Sequence, residues 1–227
     1  FMDSYSPEAK VRELMETESG YDAETWSLMA DQLGLQSLIV PEEYGGQGFG
    51  YVELIVVLEE MGRSLLCAPF FSTVVLAANT LIYSGDEDAK AELLPGIAAG
   101  ETIATLAFTE ESGRWGSDGI TMIATPDGDG WAVSGTMLFV LDVQIASLVV
   151  VAACTDEGIS LFQVAGETDG MTRTALATMD TTRKQARLDF DGVSATLIGQ
   201  DGGGWAVLER VLDLAAVALL SLIHISE

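Results

Sequence analysis

The stretch LAFTEESGRWGSD, residues 106–118, divides the chain into two kinds of sequence. Upstream of it, apolar residues recur at the three- and four-residue spacing of helices. Downstream they alternate with a period of two, as in half-buried strands. The stretch itself turns polar and glycine-bearing after Phe108, which predicts a loop where a helical region gives way to a β region.

On the helical side, Ser6-Pro7-Glu8 offers an N-cap followed by proline at the first helical position, with Val11, Leu14 and Met15 on one face. Asp22 is expected to cap a second helix with the stripe Trp26, Met29, Ala30 and Leu33, stopped at Gly34. PEEYGGQGFG (41–50) is a loop by its glycines and proline. A third helix is predicted over 52–61 with Leu54, Val57, Leu58 and Met61 on one face, and an apolar helix over 69–83. Asp86 is expected to cap a further helix that Pro95 and Gly96 end.

Ser64 to Tyr83 is the one uncharged stretch of membrane length. Pro69, Ser72, Thr73, Asn79 and Thr80 interrupt it, so it reads as a buried helix and not a bilayer span. Phe70 and Phe71 within it either line a pocket or pack in the core, and the core reading is the favoured one.

On the β side, Ile120, Met122 and Ala124 alternate, PDGDG (126–130) turns, and the pattern resumes at Trp131. Residues 147–154 form a nearly continuous apolar strand, TDEG (155–158) turns, 159–164 returns, and Gln185 to Phe190 alternates again. Short strands with glycine turns predict a small barrel or sandwich. From Gly204 the spacing is helical again, through Trp205, Leu208, Val211, Leu212 and Ala215. That apolar face is expected to lack a partner within the chain. The chain therefore reads as a fragment that begins mid-pattern, with LLSLIHISE (219–227) as a non-native tail.

The 227 residues carry 35 acidic against 10 basic side chains, a net charge of −25. Clustered cations are needed to neutralise phosphates, so neither nucleic acid nor an anionic membrane surface is an expected partner. Acidity of this kind keeps a protein soluble. Two cysteines, Cys67 and Cys154, without a CxxC or a signal-like segment, point to a reducing, cytoplasmic compartment. The single histidine, His224, excludes a histidine-centred triad, and a zinc or other metal site is not expected. GGQGFG (45–50) and GQDGGGW (199–205) lack the Lys-Ser/Thr ending of a phosphate-binding loop and read as turns. Glu42-Glu43, Glu59-Glu60 and Glu110-Glu111 read as solvated faces.

Six segments then occur in a fixed order: LGLQSLIVPEEYGGQGFG (33–50), LEEMGRSLLCAPF (58–70), GDEDAKAELLPGIAAGE (85–101), LAFTEE (106–111), DGDGWAVSGTMLFV (127–140) and GGGWAVLERVLDL (202–214). Together they resemble the acyl-CoA dehydrogenase family of flavoproteins, collinearly over about residues 5 to 218. The resemblance implies a multidomain α+β fold. An all-α N-terminal domain (1–104) is followed by a middle β-barrel or sandwich that contacts flavin (105–197), then the first helix of a truncated C-terminal bundle (198–227). It implies FAD as cofactor and an acyl-CoA substrate, fatty or steroid-type, oxidised at Cα–Cβ to the trans-2-enoyl-CoA as in fatty acid β-oxidation. The family's catalytic carboxylate belongs to the C-terminal bundle, beyond this chain, so no catalytic residue is assigned here. The resemblance further implies a homo- or hetero-oligomer, with electron-transfer flavoprotein as redox partner.

Residue by residue, Thr109-Glu110 matches the family's Thr-Glu, placing Leu106 and Phe108 at the flavin edge. GTMLFVLD (135–142) resembles the family's Gly-x-Lys-x-Trp-Ile-Thr-Asn. Phe139 stands where a tryptophan packs on the flavin ring, keeping an aromatic face, and Leu141 replaces a threonine that bonds near N5. Without a gap, the family's Gly-Ser-Asp falls on Arg114-Trp115-Gly116, so Gly116-Ser117-Asp118 lies two residues late. Arg114 and Trp115 become the substrate-binding candidates, Arg114 as a fork of donors for phosphate; a surface arginine beside a turn is the plainer alternative. These departures leave a second class open: a non-catalytic scaffold subunit of a heteromeric dehydrogenase, or an acyl-CoA or cofactor-binding module without redox activity.

Overall fold

The computed structural model describes residues 1–223, so His224 and the end of the predicted tail lie outside the described residues. Four helices open the chain: α1 (Met2–Tyr5), α2 (Glu8–Met15), α3 (Ala23–Asp31) and α4 (Tyr51–Arg63). Asp22 caps α3, accepting from the Thr25 hydroxyl at 2.7 Å and the Thr25 N–H at 2.9 Å, bonds that hold its carboxyl below the ordinary range. Leu33 is 43% exposed, because α3 ends at Asp31 and the helical phase of the predicted stripe is lost. Ser6 does not cap α2. Pro7 takes the N-cap position, and the buried Ser6 hydroxyl donates to the Ser64 carbonyl at 3.0 Å, tying α2 to the end of α4.

The apolar stretch forms one continuous buried helix, π-helical over Phe71–Ala78 and α-helical in α5 (Asn79–Tyr83). Among the described residues no helix is long and apolar enough to cross a membrane. The π-helical segment carries two hydroxyls to the β region. Ser72 donates to Asp142 at 2.6 Å, and Thr73 both donates to the Ala104 carbonyl (3.0 Å) and accepts from its N–H (3.1 Å). Helix α6 (Glu87–Ala98) is capped by Asp86 as expected, yet it runs through Pro95. Leu94 and Ile97 are fully buried on either side, and that packing outweighs the lost hydrogen bond; the stop comes at Gly100, where φ is +74°.

The β region comprises β1 (Ala104–Ala107), β2 (Ile123–Asp127), β3 (Gly130–Leu141), β4 (Leu148–Thr155), β5 (Gly158–Ala165), β6 (Met171–Ala175) and β7 (Gln185–Ile198). Strands β4, β2, β3, β7 and β5 pair in that order and β5 closes back on β4, making a barrel; β1 joins β4 in parallel and β6 joins β7. Met137, Phe162 and Leu188 fill the barrel interior. A second core joins the helices to β1 and the outer face of β4 and β5.

Helix α7 (Gly204–Leu222) does not lack a partner, contrary to the sequence expectation. Leu208, Val211, Ala215 and Ala218 are buried against α4, the buried helix and β5. Periodicity identified the apolar face, but its helical partners lie more than a hundred residues upstream.

Candidate cofactor and ligand cavity

At the junction of β1, β3, the π-helical segment and α7 lies a cavity of about 400 Å³ with predominantly apolar walls. Leu106, Phe108, Thr109, Trp115, Phe139 and Leu141, six of the seven residues singled out from sequence, line it together. Leu106 comes from β1, a strand buried at every residue because it is covered by the buried helix on one side and the barrel on the other. Just beyond β1, Phe108 meets Trp115 edge to face, centroids 5.8 Å apart at 84°. Among the described residues, Thr109 carries the only hydroxyl of the lining.

Phe139 and Leu141 are presented by a distortion of β3. The ladder with β7 pairs Met137 with Leu188 and resumes at Val140 with Ala186, so Leu138 and Phe139 oppose Arg187 alone. This is a β-bulge. It places Phe139 at φ +58°, a left-handed conformation that a bulky side chain adopts only at a cost of about 1–2 kcal/mol. Two bonds flanking the bulge secure it: the Leu138 N–H donates to the Thr109 carbonyl at 2.7 Å, and the Thr105 hydroxyl donates to the Leu141 carbonyl at 2.7 Å. The result is an aromatic ring about half exposed at the cavity wall, 52% accessible. An apolar slot with one exposed aromatic face and an aromatic pair at its rim fits a flat heterocycle such as the flavin ring. At the Leu141 position no hydroxyl is available to a bound ring.

Arg114 is not brought to the cavity. It lies on a separate polar surface with Thr121 and Thr136 and pairs with Asp118, both side chains more than 60% exposed. The four-residue spacing across the Ser117–Gly119 turn lets the cation close on its own loop. Glu110 is not a solvated face as its pair with Glu111 suggested. It is buried, accepting from the Thr121 N–H (2.6 Å), the Thr121 hydroxyl and the Met122 N–H (2.8 Å), and so fastens the 111–119 loop to β2.

Sequence reasoning missed several lining residues. Phe71 lines the cavity while Phe70 belongs to the core, 2% exposed, a distinction that the π-helical turn makes and periodicity cannot. Leu212, Ala216 and Leu219 close the α7 side, Asp180 and Arg183 approach from the segment before β7, and Gln185 from its first position. Under the floor sits Asp142, at φ +52°. Its burial pushes its carboxyl up to about 6, against the opposing effects of the Ser72 hydroxyl and the Arg183 charge.

A helical region is thus seated on a closed barrel, with an aromatic slot where the two meet. The family model for the acyl-CoA dehydrogenase N-terminal domain matches residues 2–101. Acyl-CoA dehydrogenase FadE27 of Mycobacterium tuberculosis is 34% identical over 167 residues, covering 74% of this chain and 43% of that protein. The short-chain specific mitochondrial acyl-CoA dehydrogenase of Bos taurus is 28% identical over 210 residues, 84% of this chain and 49% of that one. Among solved structures, a variant of the Tcur3481-Tcur3483 steroid ACAD superimposes with a TM-score of 0.85 at 31% identity, over 97% of this chain and 58% of that chain. The ChsE4-ChsE5 complex from Mycobacterium tuberculosis gives 0.86 at 28%, with the same coverage of each. The chain belongs to the acyl-CoA dehydrogenase family. It spans about half the length of the curated relatives it matches.

Proposed function

We propose that this chain supplies the flavin-contacting part of an FAD-dependent acyl-CoA dehydrogenase that oxidises the Cα–Cβ bond of a fatty or steroid-type acyl-CoA to the trans-2-enoyl-CoA. The observation that carries this reading is the gathering of Leu106, Phe108, Thr109, Trp115, Phe139 and Leu141 around one apolar cavity. A bound flavin supplies the two-electron oxidation in such chemistry. This chain's own contribution is to bind and to exclude water. Phe139 and the Phe108–Trp115 pair offer aromatic surface to a ring, Thr109 offers a hydroxyl, and the walls from α7 and Phe71 keep an acyl chain dry. The carboxylate that takes the α proton is expected in family segments beyond this stretch. Within the proposal, residues 1–104, 105–197 and 198–227 act as separate domains in a cytoplasmic homo- or hetero-oligomer that hands electrons to an electron-transfer flavoprotein.

A second reading, a scaffold subunit of a heteromeric dehydrogenase, is favoured by one specific observation: Leu141 leaves the bulge wall without a hydroxyl. The two separate on the visible spectrum and on turnover. The protein expressed from its complete reading frame should purify yellow and reduce a dye acceptor with an acyl-CoA. Flavin retention without turnover, restored by a co-expressed partner subunit, selects the scaffold reading. A colourless protein that takes up no FAD, alone or beside its partner, overturns both.

A further inference from the structure

Among the described residues, Arg183 is the only cation lining the cavity. Six of the chain's ten lysines and arginines form ion pairs: Lys10, Arg12, Arg63, Lys90, Arg114 and Arg187. Arg183 does not; no carboxylate of the described residues lies within ion-pair distance of it, in a chain of net charge −25. Its Nη1 donates to the carbonyls of Leu66 (2.8 Å) and Thr182 (3.2 Å), which anchors the side chain between α4 and the segment before β7. The hydrogens on Nε and Nη2 meet no acceptor among the described residues. Asp180, at the same rim, is committed elsewhere: one carboxylate oxygen accepts from the Thr182 N–H at 2.9 Å and from its hydroxyl at 2.6 Å.

We infer that Arg183 is a specificity-determining residue that selects a ligand carrying an oxyanion, a carboxylate or a phosphate, by a forked charge-assisted hydrogen bond at the wall of an otherwise apolar cavity. A half-buried guanidinium with free donors beside apolar walls is the arrangement that rewards such a group, since the low local dielectric strengthens the pairing. The inference rests on the cavity being the ligand site proposed above. The oxyanion has two possible sources, a phosphate of the flavin or a second acidic group on the acyl chain, and matched probes distinguish them.

The full chain and Arg183→Gln are titrated with riboflavin and FMN by flavin fluorescence. Decanoyl-CoA and the CoA monothioester of decanedioic acid are titrated by displacement of the neutral dye N-phenyl-1-naphthylamine. The member of one pair that carries the additional oxyanion should bind about tenfold more weakly to the variant while its counterpart lacking that group is unaffected, and Arg183→Lys should restore most of the difference. The affected pair names the source. Equal losses within both pairs, or no loss in either, overturn the inference and leave the cavity's role intact. Failure of all probes to bind the unaltered chain overturns the cavity's role as well. A countercharge role toward Asp142 predicts a different result: Arg183→Gln would lower thermal stability only while Asp142 is present, with no discrimination between probes in either background.

Discussion

The helical and β regions meet along a seam whose two ends are built differently. At the end away from the cavity, Asp86 accepts from the Ala89 N–H at 3.0 Å and the Gly199 N–H at 2.8 Å, so one carboxylate caps α6 and ties it to the end of the barrel. Nearby, Asp201 accepts from the hydroxyls of Ser160 and Thr155, both at 2.6 Å. Each carboxyl is held below its ordinary range by these bonds. The sharp left-handed turn there falls to a glycine, Gly199, where an added Cβ would meet the Ser84 carbonyl at 2.7 Å. At the cavity end the same materials are used against their preferences. Asp142 is buried with a single hydroxyl donor, its carboxyl is pushed up, and both it and Phe139 hold positive φ without being glycine. The first end holds the fold together. The second gives up stability to shape a wall, the pattern expected where structure serves a ligand.

The largest effect should come from neutralising the unfavourable end. Because burial raises the Asp142 pKa to about 6, the folded state keeps a proton that the unfolded chain has released between about pH 4 and pH 6. Stability therefore falls as pH rises through that window, and the full penalty is present above it. Asp142→Asn, which keeps an acceptor for Ser72 and tolerates the left-handed conformation, should raise stability at pH 8 by up to about 3 kcal/mol and by little at pH 4. Urea denaturation at the two pH values measures this; an equal change at both would remove the contrast between the ends.

The favourable end should respond in the opposite sense. Asp86→Ala loses the α6 cap and strands the Gly199 N–H, destabilising by about 2 kcal/mol and lowering Tm by about 5 °C. An unchanged melting curve would show that this end is not a tie. The smallest effect is expected at the bulge. Phe139→Gly relieves the left-handed strain and should gain about 1 kcal/mol while weakening riboflavin binding, measured on one preparation by denaturation and fluorescence. Stability and binding falling together would mean that Phe139 is packed rather than presented.

Much of this molecule was legible in its sequence, for reasons that are local. Caps at Asp22 and Asp86 satisfy N–H groups three residues away, and turns at Gly34 and PDGDG need only the residues that form them. Alternation from Trp131 and over 185–190 marks strands because a barrel has an inside and an outside. The ordered motifs located the cavity residues from β1, the loop after it and β3. What failed did so where distant contacts compete with local preference. Ser6 serves Ser64 instead of its own helix, and Pro95 is carried inside α6 by the burial of Leu94 and Ile97. Glu110 turned inward to accept from two backbone N–H groups just before β2.

By itself, then, the sequence determined the order of elements, the caps and turns, and the position of the helix-to-barrel crossing at 106–118, since these follow from spacing and neighbouring residues. Only the tertiary structure decided that Phe139 stands out from a bulge, that Asp142 is buried, and that Arg183 keeps free donors beside an apolar wall. Those are outcomes of packing between segments far apart in the chain, and no local pattern encodes them.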